Sequence, residues 1–227
     1  YDIGGYPHVN DAPVTAATNG VRVTSSSYSE GCNAGYTSTS NEVDMMVRQN
    51  PQLVHVFSAG NSSGDDCGYG AGTPWGTITG GRKQGKSSIA VGNLLYDATL
   101  VNSSSRGPAA DGRIKPDICA NGNGQRATDE NNTYMTGGGT SAAAPGVAGI
   151  LAQLIEAYRD LNGGNDPETA LLKACLLNTA EDLGNPGPDF YYGWGRVNAL
   201  RALMTLEDNR YLLSLIHISE PTRRAII

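Results

Sequence analysis

An α/β fold with a largely parallel sheet and helices on both faces is the expectation for this 227-residue chain. Two observations carry it. The runs "QLVHVFSAGN" and "SSIAVGNL" are short and nearly continuously apolar, as strands buried on both faces of a parallel sheet are. Around them lie longer segments whose apolar residues recur at helical spacing, so strand and helix patterns alternate along the chain.

"NGVRVTSSS" (19–27) places β-branched residues before a polar turn and reads as the first strand. "TSNEVDMMVRQN" follows, with Thr39 and Glu42 as a capping box and Val43, Met46 and Val47 on one helical face. The two apolar runs, Gln52 to Asn61 and Ser87 to Leu94, are the next strands, and "KPDICA" (Lys115 to Ala120) is a shorter one. The glycine-rich stretch from Ser62 to Gly85 reads as a long loop region. Three helices close the pattern. The first carries Val147, Ile150, Leu151, Leu154 and Tyr158 at i, i+3, i+4 spacing; the second starts with Asp166 as N-cap and Pro167 at its first position; the third spans about Val197 to Leu206.

Composition narrows the function. Lys plus Arg is 16 against 22 for Asp plus Glu, a net charge of −6 with no basic block, which speaks against nucleic-acid binding. The longest weakly polar run, Ala142 to Leu154, is broken by Pro145 and two glycines and is shorter than the roughly 20 apolar residues of a membrane span. The chain therefore reads as a soluble protein. Its four cysteines show no CxxC spacing. Cys119 and Cys175 lie in apolar segments and are expected as buried thiols, while Cys32 and Cys67 lie in loops where they would pair in an oxidising compartment. The first residue is Tyr1, with no initiator Met or signal peptide, so the chain is expected to open inside a longer protein. From Leu213 to about Arg223 it resembles the translated transposase adapter of shotgun sequencing libraries. Residues 1–212 are accordingly taken as one partial domain and 213–227 as read-through, expected to pack poorly.

In parallel sheets, ligands collect at the carboxyl ends of strands and at helix N-termini. Asn61 follows the strand ending "HVFSAG", and Ser141 opens the helix "SAAAPGVAGIL". A serine so placed lies beside unpaired N–H groups, where developing negative charge is favoured, which suits acyl transfer. Gly137, Gly138 and Gly139 would let a substrate backbone approach closely. Taken alone, Ser141 reads first as a plain N-cap and Asn61 as half of a common Gly-Asn turn. A phosphate-binding P-loop is excluded, because no GK[ST] follows the glycines.

"GGGTSAAAPGVAG" is similar to the nucleophile motif GTSxAxPxVAG of the subtilisin-like serine proteases, with Ser141, Ala143, Pro145, Val147, Ala148 and Gly149 in register. "FSAGN" resembles the oxyanion segment of that family, "VRVTSSSYS" its edge strand, "SSSRGPAADGRIKPDICANG" its SSxGP...KPDIxAPG stretch, and "YGWGRVNALRAL" its closing helix. The resemblance implies a serine endopeptidase with Ser141 as nucleophile, Asn61 as oxyanion donor, and Ser27, Tyr28 and Ser29 docking a polypeptide substrate. It also implies an extracellular or periplasmic location, no cofactor for the chemistry and, as often in the family, structural calcium, for which Asp65 and Asp66 are the loop carboxylates at hand.

Three features depart from the family pattern. Ala120-Asn121-Gly122 stands where Ala-Pro-Gly is usual, leaving that turn less rigid, and Ala142 follows the serine where a bulkier residue is common. The Asp-[Ser/Thr]-Gly and His-Gly-Thr blocks that carry the triad aspartate and histidine are missing. His8 lacks the Gly-Thr that follows the catalytic histidine, His55 lies inside an apolar strand and His217 in the suspect tail. The chain by itself is therefore expected not to cleave peptides and to fold poorly. A catalytically inactive, secreted binding domain on the same scaffold is the alternative; a hydrolase of another fold would need a G-x-S-x-G elbow, which no serine here has.

Overall fold

The computed structural model describes residues 7–29, 31, 35–68 and 71–211. Its main sheet has four parallel strands in the order β1 (Val23–Ser26), β2 (Val54–Ser58), β3 (Ile89–Leu94) and β4 (Ile118–Asn121), so the α/β expectation is met. Every residue of β2 and β3 is buried, the polar His55, Ser58 and Asn93 included, as expected for nearly continuous apolar strands between two layers. Side chains alternate across a strand. Val54, Val56, Ile89 and Val91 therefore share a core with helix α3 (Thr140–Leu161), while Phe57 packs on Val43 of helix α2 (Ser38–Gln49) on the other face. Helices α4 (Thr169–Asn178) and α5 (Ala199–Glu207) join the α3 core through Leu171, Leu172, Cys175, Ala202 and Leu206. Along α3, Val147, Leu151, Leu154 and Tyr158 are buried as their spacing predicts, and Ile150 is half-buried at the flank.

Element starts move where tertiary contacts outbid local signals. Helix α2 begins earlier than expected, because its N-cap is Thr37, whose N–H donates to Ser40 Oγ at 3.1 Å. Glu42 is thereby left on the solvent side, 3.8 Å from Arg82. Helix α4 starts at Thr169 rather than after an Asp166 cap. The Asp166 carboxylate is taken by Arg22 at 2.7 Å and Arg159 at 2.5 Å, while Thr169 donates its N–H to Pro51 O and its hydroxyl to Leu53 O. Strand β4 starts at Ile118, because Lys115 and Asp117 before it are engaged in a buried ion cluster. Helix α5 is capped by Asn198, whose side chain accepts the Arg201 N–H at 3.0 Å.

Two elements went unanticipated. Helix α1 (Pro7–Asn19) precedes β1, and an antiparallel hairpin, β5 (Gln125–Asp129) with β6 (Thr133–Gly137), runs into α3 with nearly every residue exposed. The described residues between 62 and 85 are irregular apart from a 3₁₀ turn at Arg82–Gln84. Cys119 and Cys175 are buried free thiols and Cys67 is disulfide-bonded. Cys32, His217 and the tail from Leu213 lie outside the described residues. No described helix is long and apolar enough to cross a membrane.

Candidate active site

Ser141 is the second residue of α3, whose N-cap is Gly139 at φ 99°. That left-handed backbone favours glycine, and a Cβ there would lie 3.1 Å from the Asn61 amide. Gly60, at φ 122°, is equally constrained, since its Cβ would meet Thr79 Oγ1 at 2.4 Å and Ser105 Oγ at 2.7 Å. The glycines thus let the end of β2 and the start of α3 close on each other.

A short relay of hydrogen bonds locks this approach. Asn61 Oδ1 accepts from Thr140 N–H at 3.0 Å and from Thr140 Oγ1 at 3.1 Å, and Thr140 Oγ1 in turn accepts the Gly60 N–H at 3.1 Å. Asn61 is exposed, and with its oxygen engaged twice by the helix, its NH₂ group is the part of the side chain that can donate to a ligand. Just past the end of β1, Ser27 Oγ donates to the Ser141 carbonyl at 2.9 Å. Ser27, Asn61 and Ser141 are therefore brought together, and all three are exposed. Tyr28 is half-buried with its ring edge-on to Phe57, 6.1 Å between centroids, and exposed Ser29 accepts the Gly31 N–H. Gly137 closes β6, and Gly138 continues the exposed approach to Ser141.

Thr140 was missed as a site residue. The signal was present in the Thr-Ser pair, but which hydroxyl faces Asn61 depends on how β2 and α3 meet.

The Ala120-Asn121-Gly122 turn is held without proline, as Asn121 Nδ2 and the Gly122 N–H both donate to Leu94 O, at 3.1 and 3.3 Å. Gly122 then packs under the first turn of α3. A Cβ there would stand 2.5 Å from Gly139 O and 2.6 Å from Ala143 N, backbone atoms that cannot swing aside. Gly122→Ala is expected to cost about 1–3 kcal/mol through overpacking, seen as a lower thermal unfolding midpoint.

Among the described side chains His55 is the one histidine. It is wholly buried, pairs through Nδ1 with Thr24 Oγ1 at 2.7 Å, and lies 6.3 Å from the Phe57 ring, on the α2 face of the sheet. Ser141 opens the helix on the opposite face, so the sheet stands between them. Asp65 and Asp66 are exposed, Asp66 accepts the Gly68 N–H at 2.9 Å, and no three metal-ligating side chains converge among the described residues.

The Subtilase family model matches residues 3–195 of this chain. Among curated proteins, the human membrane-bound transcription factor site-1 protease is 32% identical over 134 residues, covering 56% of this chain and 12% of its own length. The C5a peptidase of Streptococcus pyogenes is 34% identical over 126 residues, 51% of this chain and 11% of its own length. The matched part thus spans about an eighth of such relatives. Of solved structures, the prenylagaramide maturation protease PagA superposes with a TM-score of 0.67 at 21% identity, covering 87% of this chain and 66% of its own. The self-cleaved protease domain of PatA gives 0.66 at 20% identity, covering 86% and 66%.

Proposed function

Because the chain belongs to the subtilase family, we propose that it supplies the nucleophile, the oxyanion hole and one wall of the substrate groove of a serine endopeptidase. The observation that carries this reading is the Asn61–Thr140–Gly60 relay beside Ser141, since it presents an amide donor next to a serine at a helix N-terminus. Ser141 Oγ attacks the peptide carbonyl, passing its proton to a base. The carbonyl oxygen becomes negative and is met by the Ser141 N–H and Asn61 Nδ2, with the positive end of α3 behind them. The amine then leaves with the proton, and water hydrolyses the acyl-serine by the same steps in reverse.

Residues 27–29 and 137–139 border the peptide on its two sides, and the domain is taken as residues 1–212. A serine hydroxyl is a weak nucleophile without a base. Since His55 faces the other side of the sheet, the base is a histidine contributed from outside the described side chains. The substrate is a polypeptide, and the location is outside the cytoplasm, as the family resemblance implies.

The test is a fluorophosphonate probe, with the labelled peptide identified by mass spectrometry, applied to this chain and to the complete product of its gene. Labelling at Ser141 in the complete product, abolished by Ser141→Ala and absent from the chain alone, is the expected result. No labelling of the complete product would leave an inactive binding domain on the subtilase scaffold. Robust labelling of the chain alone would move the base into it, with His8 the first candidate.

A further inference from the structure

One buried cation has no part in the chemistry above. Lys83, in the 3₁₀ turn, is wholly buried. Its ammonium donates to the backbone carbonyl of Tyr28 and to Thr79 Oγ1 at 3.1 Å, and approaches Ser58 Oγ at 3.5 Å. The Tyr28 ring lies over it, 5.2 Å from Nζ to the centroid. Taking an ammonium out of water costs several kcal/mol unless its donors are used, so these acceptors hold it at this point.

The acceptors come from different walls of the site. Tyr28 belongs to the exposed segment after β1. Ser58 ends β2, three residues before Asn61, and Thr79 donates its N–H to Ala59 O at 3.1 Å while its hydroxyl flanks Gly60. The turn that carries the lysine is itself anchored: Ser40 Oγ donates to Gly81 O at 2.5 Å, Gln84 Nε2 to Ile78 O at 3.2 Å, and Ser88 Oγ to Arg82 O at 3.0 Å. One end of Lys83 is therefore held by the body of the domain and the other grips the segment beside Ser141.

We propose that Lys83 is a positioning residue for substrate docking. It ties the Tyr28 carbonyl inward against the strand end that bears Asn61. The segment continues from the end of β1, so fixing the Tyr28 carbonyl limits how the peptide groups of Ser27 and Ser29 on either side of it can turn toward a substrate. This rests on the proposed reading of residues 27–29 as the docking segment. A hydrophobic residue at position 83 could fill the same space, but it would take this donor from the Tyr28 carbonyl, leave it the longer 3.5 Å bond from Ser58 Oγ, and loosen the segment.

Lys83→Met keeps the stem and removes the donors; Lys83→Arg keeps the charge and the donors. Amide hydrogen exchange of the complete product, read by mass spectrometry, is expected to accelerate at least tenfold at residues 27–29 in Lys83→Met, with residues 89–94 unchanged, and to return close to the parent value in Lys83→Arg. In the complete product, KM for peptides is expected to rise about tenfold in Lys83→Met, while kcat per fluorophosphonate-titrated site stays within about twofold. Thr79→Val, which removes one acceptor and leaves the charge, gives a smaller rise at 27–29 and decides the matter should Lys83→Met not fold. Unchanged exchange at 27–29, or a rise spread equally over 89–94, would overturn the proposal. The exchange measurement needs no catalysis, so an unlabelled Ser141 would sink the protease reading without touching this one.

Discussion

Replacing Asp117 with asparagine is expected to cost about 3–5 kcal/mol of folding stability, a large share of the roughly 5–15 kcal/mol that a domain has. Asp117 is buried and accepts from Lys115 Nζ at 2.5 Å, Lys173 Nζ at 2.8 Å and the Ala90 N–H at 2.7 Å. It thereby joins the start of β4 to β3 and to α4. Burial alone would raise its pKa, but the two ammonium groups outweigh burial and hold the carboxyl below the ordinary carboxylate value. Without that charge, two ammoniums face each other and one of them, Lys115, is 1% exposed. Urea unfolding followed by circular dichroism measures the loss. A variant within about 1 kcal/mol of the parent would mean that the cluster contributes little.

The pH dependence of this cluster has a defined sign. A carboxyl whose folded pKa is depressed contributes stability above its unfolded value, 3.8 for a free aspartate, and that contribution disappears as pH falls through the folded value. The parent protein should therefore lose stability at acid pH more steeply than Asp117→Asn. Burial pushes Lys115 down to about 8 from 10.5, against the pull of Asp117. Between those values the unfolded chain binds more protons than the folded one, so stability rises with pH there. Asp117→Asn removes the pull and leaves the burial cost, so raising the pH is expected to recover part of its lost stability.

Asn61→Ala is expected to lower kcat of the complete product about 10²–10³-fold, or about 2.7–4 kcal/mol in the barrier, with KM little changed. That range comes from removing such a donor in subtilisin itself, so it is carried over by kinship rather than obtained from this geometry. The split between kcat and KM follows from where the amide acts, on an oxygen that is fully negative only near the transition state. Thr140→Val should lose a smaller part of the rate, because Asn61 Oδ1 retains the Thr140 N–H after the hydroxyl is gone. Equal losses in kcat for an ester and a peptide substrate would fit this role. A loss confined to KM would place Asn61 in ground-state binding instead.

What the amino-acid sequence determined by itself are the parts in which local chemistry and the final environment agree. β2 and β3 are apolar apart from His55, Ser58 and Asn93, and so nearly continuous an apolar run is most stable between two layers. The first turns of α3 combine glycines, small side chains and a helical apolar stripe, so the helix and the place of Ser141 at its mouth were legible. Helix α1 was not, because "PHVNDAPVTAATN" carries Pro13, threonines and asparagines with little amphipathic signal. The exposed hairpin was hidden for a related reason, as strands with both faces in water show no alternation of apolar and polar residues. The start of α4 was decided by arginines 144 and 7 residues from Asp166, which took the carboxylate that a local cap would have used. The same holds at the site. That Asn61 faces Thr140, that Ser27 reaches the Ser141 carbonyl and that Lys83 lies under Tyr28 are contacts between residues 79, 114 and 55 positions apart. Neighbours along the chain set helix periods and strand character, but a side chain's hydrogen-bond partner is whatever group the packed sheet brings within 3 Å, and only the tertiary structure decides that.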